Sequence, residues 1–353
     1  MSSNLGIGVV GTGWVAGAHT DTWKEIEGAE VVHVVSRDRQ RAEAFCRDRG
    51  LQATASDDYA ALLADDRVDV VAICTPHPMH PDETVQAAAA RKHIVIEKPV
   101  ALEASELQRM LEAVETAGVK TSVCFELRWI GLFQNVRSLV REGALGELFY
   151  GESSYFHGCG PWYPQYPWNR TKEMGRDAFL TAGCHALDGL IFLMEQPVVE
   201  VQAMANTSKA NPLDYEYEPN ITANLRFANG AMGKVAVSVE CRQPYLFPLL
   251  LQGTEGSVWN DKVSRTAWPG LGRERWATIP AALPDSGDVA DHPYKSQFES
   301  FKTCIEQDKR PHNDLSSCGH VHDVMFAIQE AVRTKKTIEV ATTPGVVPRW
   351  DDA

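Results

Sequence analysis

A short apolar run, Gly6-Ile7-Gly8-Val9-Val10, passes without a break into Gly11-Thr12-Gly13-Trp14-Val15-Ala16. The run reads as a buried strand and the residues after Gly13 as a helix, so the chain must turn sharply between them. Gly11 makes that turn, Gly13 lets the backbone come close to a pyrophosphate, and Ala16 keeps the helix against the sheet. The open N–H groups at the helix N-terminus then face the phosphates. Alone, G-x-G-x-x-A is common; set between a strand and a helix, it marks a dinucleotide site. Gly11, Thr12, Gly13, Trp14 and Val15 are the first cofactor-binding candidates.

The next strand, Val31 to Val35, ends in Ser36-Arg37-Asp38. An NAD enzyme usually places an acid at that strand end for the ribose hydroxyls. Ser36 and Arg37 suit a 2′-phosphate instead, so within the NAD(P) class NADP is favoured over NAD. Asp38 comes late and reads as the cap of the following helix. Helix and strand signals then alternate: a helix over 38–49 stopped by Gly50, a short helix from Asp58 to Leu63, and a buried strand from Val68 to Cys74. A helix over 81–91, a strand at Ile94-Val95-Ile96, a helix from Ser105 to Gly118 and a strand from Val119 to Phe125 complete the series. This rhythm predicts an α/β fold whose N-terminal domain, residues 1–125, is a Rossmann-type doubly wound parallel sheet.

Three consecutive β-branched residues precede Glu97-Lys98-Pro99, and the proline ends the ladder. Lys98 is left at the carboxyl end of a buried strand, where open α/β sheets bind ligands. Desolvation there favours its neutral form, which suits proton transfer. Glu97 stands ready to orient it. Thr75, Pro76 and His80 at the preceding strand end join Glu97 and Lys98 as cofactor-side candidates. Cys74, His77 and His80 are spaced by three but lack a fourth ligand, so no metal is expected. Cys318, His320 and His322 lie two apart and do not share a helical face.

With 353 residues the chain exceeds one ordinary core, which predicts a second domain over 126–353. No apolar run reaches 18 residues, and a strand begins close to Met1, so neither a membrane span nor a signal peptide is expected. The net charge of −13 argues against nucleic-acid and anionic-lipid surfaces. Eight cysteines without a Cys-x-x-Cys pair read as reduced core thiols of a cytoplasmic protein.

Beyond residue 145 the texture changes. A strand from Phe149 to Phe156 leads into Gly158-Cys159-Gly160-Pro161-Trp162-Tyr163-Pro164-Gln165-Tyr166-Pro167-Trp168-Asn169-Arg170. So many prolines and glycines exclude a regular element. An aromatic loop of this kind is a packed lid, a surface on which a hydroxyl-rich ring can stack, or a plain interface loop. Trp162, Tyr163, Trp168 and Arg170 are substrate candidates, with Arg128. Asp177 reads as the cap of a helix carrying Thr181, His185 and Asp188 at i, i+4 and i+7, hence on one face. A histidine sharing a face with a carboxylate is an acid/base candidate. Strands from Val198 to Thr207, Asn220 to Phe227, Ala231 to Val239, Leu246 to Leu251 and Ser257 to Asn260 predict a large, open, mainly antiparallel sheet. One face would carry helices and the other a subunit interface. Helices at about 295–308 and 319–334 follow, and Asp285 to Asp291 reads as a loose loop.

Gly11-x-Gly13-x-x-Ala16, Glu97-Lys98-Pro99 and Gly183-Cys184-His185-Ala186-Leu187-Asp188, in that order, resemble the glucose–fructose oxidoreductase / inositol dehydrogenase / MocA family. The likeness extends to Thr75-Pro76 with His80, Phe227-Ala228-Asn229-Gly230, Gly253-Thr254-Glu255-Gly256 and His292-Pro293-Tyr294. The resemblance implies a cofactor domain followed by an α/β domain whose open sheet builds a homodimer or homotetramer. It implies hydride transfer between a nicotinamide and a hydroxyl or keto carbon of a small carbohydrate or cyclitol. Lys98 would contact the reacting hydroxyl and His185 would act as acid/base, with Thr181, His185 and Asp188 on the substrate side. Many members carry an aspartate four residues before that histidine; Thr181 stands there, so the usual Asp–His pair is missing. Two other activities suit the same fold: a lyase or glycosidase that oxidises C3 transiently, and a sensor that only binds nucleotide. Keeping both Lys98 and His185 argues against the sensor.

Overall fold

The computed structural model describes residues 4–271, 274–281 and 293–350. The loop expected from Asp285 to Asp291 and the motif residue His292 lie outside them. The chain divides into two compact units, one of residues 1–124, 288–319 and 343–353, the other of residues 125–287 and 320–342.

The first unit opens with β1 (Leu5–Val10), α1 (Trp14–Glu25), β2 (Ala29–Val35), α2 (Arg39–Asp48), β3 (Thr54–Ser56) and α3 (Tyr59–Leu63). Next come β4 (Val70–Ile73), α4 (His80–Ala89), β5 (His93–Ile96), α5 (Ala104–Ala117) and β6 (Thr121–Val123). All six strands pair in parallel, in the order β3-β2-β1-β4-β5-β6. The order reverses between β1 and β4, which opens a crevice at the strands' carboxyl ends. Both faces are covered, so the strands read as apolar runs: Ile7, Val9, Val34, Val70, Ala72 and Val95 share one core with Trp23 and Phe45. Gly50 and Gly118 take the left-handed conformation past α2 and α5, as helix-ending glycines do.

A single boundary at residue 125 does not describe this unit. Tyr294, Phe298 and Phe301 sit in the same core as β1, although nearly three hundred residues of chain lie between. Gln297 and Asn313 both donate to the Ser122 hydroxyl and the Val123 carbonyl, satisfying the edge strand β6. Periodicity along the chain carries no trace of such a return.

The second unit holds α6 (Gly131–Arg141), β7 (Leu148–Phe156), α7 (Tyr166–Asn169), α8 (Cys184–Met194), β8 (Val198–Asn206), β9 (Asn220–Phe227) and β10 (Met232–Ser238). β11 (Leu249–Gly253), β12 (Gly256–Trp259), β13 (Lys262–Arg265) and β14 (Ala277–Thr278) follow. After α9 (Tyr294–Glu306) of the first unit, α10 (Leu315–Thr334) runs into this one and β15 (Ile338–Glu339) adds an edge strand. The nine strands lie in the order β14-β13-β12-β11-β7-β10-β9-β8-β15. All pairs are antiparallel except β7 with β10.

Helix α8 lies against β7, where a side chain at Gly151 would strike Leu190 and Met194. The register puts Met204 of β8, Thr222 of β9, Met232 and Lys234 of β10, Glu152 of β7 and Trp259 of β12 on the opposite face. Met204, Met232 and Trp259 are exposed. The aromatic loop is not wholly irregular: α7 is a one-turn helix with Pro167 in its first turn, a position proline tolerates.

Candidate active site

In the first unit, the carboxyl ends of β1, β2, β4 and β5 carry the cofactor candidates. Gly11 has φ +102°, and a Cβ there would stand 2.7 Å from the Cys74 carbonyl oxygen, so only glycine fits. Gly13 is the N-cap of α1 without a side-chain cap, and a Cβ on it would meet nothing within 4 Å. There is room beside Gly13 at the start of α1 for a ligand to approach the backbone. Thr12 and Ser36 hydroxyls lie 3.0 Å apart across the turn. Arg37 is exposed, and Asp38 caps α2 by accepting from the Gln40 backbone N–H at 2.8 Å.

At the end of β4 the Thr75 hydroxyl donates to Glu83. Burial pushes the Glu83 carboxyl up to about 7, with help from the charge of Asp82 and against the Thr75 bond. His80 is wholly buried, its Nδ1 2.8 Å from the Pro99 carbonyl and its Nε2 2.8 Å from that of Thr75. Burial lowers its pKa, while the two carbonyls pull the other way. Its ring ties the β4 turn to the β5 turn and does not present itself to a ligand.

Lys98 is half-buried after β5, and the Lys98-Pro99 peptide is cis. Glu97 is buried: His19 Nε2 lies 2.9 Å from its Oε1, and the Tyr294 hydroxyl donates to the same oxygen at 3.0 Å. Burial alone would raise this carboxyl; the His19 bond, the charges of His19 and Lys98, and the Tyr294 bond hold it at about 2. Its other oxygen accepts from the Lys98 backbone N–H at 3.2 Å, so Glu97 fixes the lysine through the main chain. His19, Glu97 and Cys124 form a three-residue cluster with donor atoms within 4.8 Å of one another. Burial and the Glu97 charge push the Cys124 thiol well up, and His19 Nε2 is bonded to Glu97 within the cluster.

In the second unit the helix expected after Asp177 begins as a π turn. Asp177 does cap, its carboxylate accepting from the Phe179 and Leu180 N–H groups at 2.7 and 3.0 Å. The first turn, Phe179–Gly183, is then a π turn, and α8 begins at Cys184. The wider turn shifts the angular register, and the Thr181 hydroxyl donates to Asn169 Oδ1 at 2.7 Å and the Gly175 carbonyl at 2.9 Å. Thr181 is thus committed to the loop. Asp188 is also committed: Arg128 grips it with contacts of 2.6, 2.9 and 3.1 Å, both residues being buried. Burial pushes the Asp188 carboxyl up, and the guanidinium pulls it back.

The carboxylate beside His185 is one that the sequence pattern does not single out. Glu126, in the 3₁₀ turn Glu126–Trp129, places Oε2 3.5 Å from His185 Nδ1, both side chains being 3% exposed. Tyr155 of β7 stacks on the imidazole, centroids 6.3 Å apart and planes 16° from parallel. Tyr245 packs on Tyr155 at 5.2 Å and stacks on His157 at 4.4 Å. This ring chain leads into a cleft of about 430 Å³ lined by His157, Trp162, Cys241, Arg242, Gln243 and Tyr245 among others. Trp162 is 60% exposed, with the Arg242 guanidinium 5.7 Å over its ring. Of the aromatic loop, Trp162 lines the cleft, and Tyr163 packs on His157 at 5.6 Å. Trp168 is half-buried, and Arg170 pairs with Asp214 at 3.0 Å. Sequence reasoning missed His157, Arg242, Gln243 and Tyr245, which gather only when β7 meets the 241–245 turn.

Two family descriptions match the chain. Residues 5–125 match "Oxidoreductase family, NAD-binding Rossmann fold", and residues 133–259 match the "GFO/IDH/MocA C-terminal domain". The chain belongs to the glucose–fructose oxidoreductase / inositol dehydrogenase / MocA family and is an oxidoreductase. It is 29% identical over 286 residues to a D-apiose dehydrogenase of Paraburkholderia graminis, covering 77% of this chain and 74% of that protein. It is 27% identical over 245 residues to the D-glucoside 3-dehydrogenase of Escherichia coli, covering 65% and 69%. The fold matches a levoglucosan dehydrogenase in complex with NADH and L-sorbose with TM-score 0.85 at 19% identity, over 96% of this chain and 100% of that one. No helix among the described residues is long and apolar enough to cross a membrane.

Proposed function

We propose that the protein is an NAD(P)-dependent dehydrogenase or reductase acting on a hydroxyl or keto carbon of a sugar, glycoside or cyclitol. The observation that carries this reading is the buried His185, one ring away from an aromatic cleft, in a chain that also keeps Lys98 at the end of β5. The names of the relatives, apiose and glucoside dehydrogenases, support the substrate class. Gly11, Thr12, Gly13, Trp14 and Val15 hold the pyrophosphate, with the Thr75–Pro76 turn and Glu97–Lys98 on the nicotinamide side. Ser36 and Arg37 at the end of β2 favour NADP, and Asp38 beyond them is engaged as a cap.

The nicotinamide, when bound, accepts or returns the hydride. His185 takes the hydroxyl proton on oxidation through Nε2, because Nδ1 faces Glu126. The Lys98 ammonium steadies the negative charge that grows on the oxygen. Trp162 stacks on the apolar face of the sugar ring, and Arg242, Gln243 and His157 bind its hydroxyls. Arg128 and Asp188 support the wall behind His185. We also propose that copies associate through the open face of the nine-stranded sheet, and that the enzyme is cytoplasmic, which suits its eight free cysteines.

The test is nicotinamide absorbance with NAD and NADP against apiose, glucosides, levoglucosan and inositols. Reduction by one class, abolished in Lys98→Met while cofactor binding persists, is the expected outcome. An unchanged maximal rate in Lys98→Met refutes the role given to that lysine.

A further inference from the structure

We propose that Glu126 is the positioning residue of His185, a carboxylate supplied from the 3₁₀ turn after β6 in place of one on the helix. The inference rests on the reading of His185 as acid/base. Four observations point to it. Glu126 Oε2 stands 3.5 Å from Nδ1 in a setting where each side chain is 3% exposed, so little solvent screens the pair. Thr181, four residues before His185, donates its hydroxyl to Asn169 and Gly175 and carries no charge. Asp188, three residues after, is held by Arg128. The π turn at Phe179–Gly183 displaces position 181 from the register that an unbroken α-helix would give it.

Other described residues also surround the imidazole. From β7 comes Tyr155, whose hydroxyl burial keeps protonated. Phe125 and Phe247 meet the ring edge-on at 6.4 Å. His322 of α10 packs on the far side of Phe125 at 6.1 Å. Arg137 of α6 is spent on Glu195. Arg128 is paired with Asp188. At 3.5 Å from Nδ1 the carboxylate acts on the imidazole through its charge and stabilises the imidazolium that forms when Nε2 takes the substrate proton. In oxidation the substrate O–H proton passes to Nε2 while the C–H hydrogen leaves as hydride and C–O becomes C=O; in reduction both return.

The experiment follows the pH at which His185 titrates in histidine-labelled protein by NMR, its signal assigned by its loss in His185→Asn. The midpoint should fall by about one unit or more in Glu126→Gln, since an opposite charge within about 4–6 Å favours the charged form. It should return most of the way in Glu126→Asp, which keeps the charge. With the panel sugar that reduces cofactor fastest, Glu126→Gln should lower kcat by roughly 10²-fold and shift its pH profile with the NMR midpoint. The cofactor Kd should stay put. A His185 midpoint equal in wild type, Gln and Asp variants overturns the proposal. A midpoint that shifts in a wild-type protein oxidising no panel compound instead overturns the reading of function and leaves the Glu126–His185 pair standing.

Discussion

At the scale of single residues, the second unit is organised by which carboxylate each cation or imidazole has taken. Arg128 and Asp188 are 2% and 0% exposed, a charge pair withdrawn from water and closed by three contacts. Such pairs add little net stability, but breaking one is costly, because the survivor stays buried without its partner. Arg128→Met should therefore destabilise the protein by about 3–5 kcal/mol, read by urea unfolding, and Arg128→Met with Asp188→Leu should recover most of that. Equal losses in single and double variants would contradict the coupling. Spacing along the chain brought out His185 and Asp188 as residues of one helix, but not Arg128 as the partner that removes Asp188 from chemistry. Glu126 escaped for the same reason: its meeting with His185 spans fifty-nine residues of sequence and depends on a 3₁₀ turn that no periodicity announces.

At the scale of elements, the parallel sheet was the most legible part. β1, β4 and β5 are short apolar runs buried on both faces, and α2 and α5 end at Gly50 and Gly118. The strand-end motifs were legible as well, because Gly11 and Gly13 answer local demands of backbone conformation and space. Three features were not. The π turn before α8 has no sequence signature. The one-turn helix α7 forms in a segment dense in proline, because a proline in a helix's first turn removes an N–H that would have no partner. The short strands β14 and β15 form the sheet edges, and β13 stands next to one of them, where two to four residues suffice. The open face of the sheet presents Met204, Met232 and Trp259 beside the Lys234–Glu152 pair. As a subunit interface it should give a dimer or tetramer by light scattering. Met232→Glu with Trp259→Glu, which puts unpaired charge into that contact, should yield monomer; a monomeric wild type would contradict this assignment.

At the scale of the whole molecule, the two units should respond to acid in opposite directions. Glu83 in the first unit is raised to about 7 by burial, so the folded state holds its proton where the unfolded chain has lost it. That contribution is complete below about pH 4.5 and disappears as pH rises through 7. His320 in the second unit is lowered to about 4 by burial, while its Nε2 accepts the Val198 N–H at 2.9 Å. That contribution is complete above about pH 6.5 and is lost as pH falls through 4. Each amounts to about 3 kcal/mol, so the wild type should vary little in overall stability between these limits. Glu83→Gln should become acid-sensitive, and His320→Gln should lose stability as pH rises; identical pH slopes in all three proteins would contradict the assignment. The two-domain order and the cofactor half were readable in the chain, whereas the return of residues 288–319 to the first unit was not. The most direct test of the central claim is transfer of label from carbon. A sugar deuterated at the oxidised carbon, incubated with enzyme and NAD or NADP, should give reduced nicotinamide carrying the deuterium, detected by mass spectrometry. Reduced cofactor without label, or label kept by the sugar while product forms, would contradict direct hydride transfer between sugar and nicotinamide.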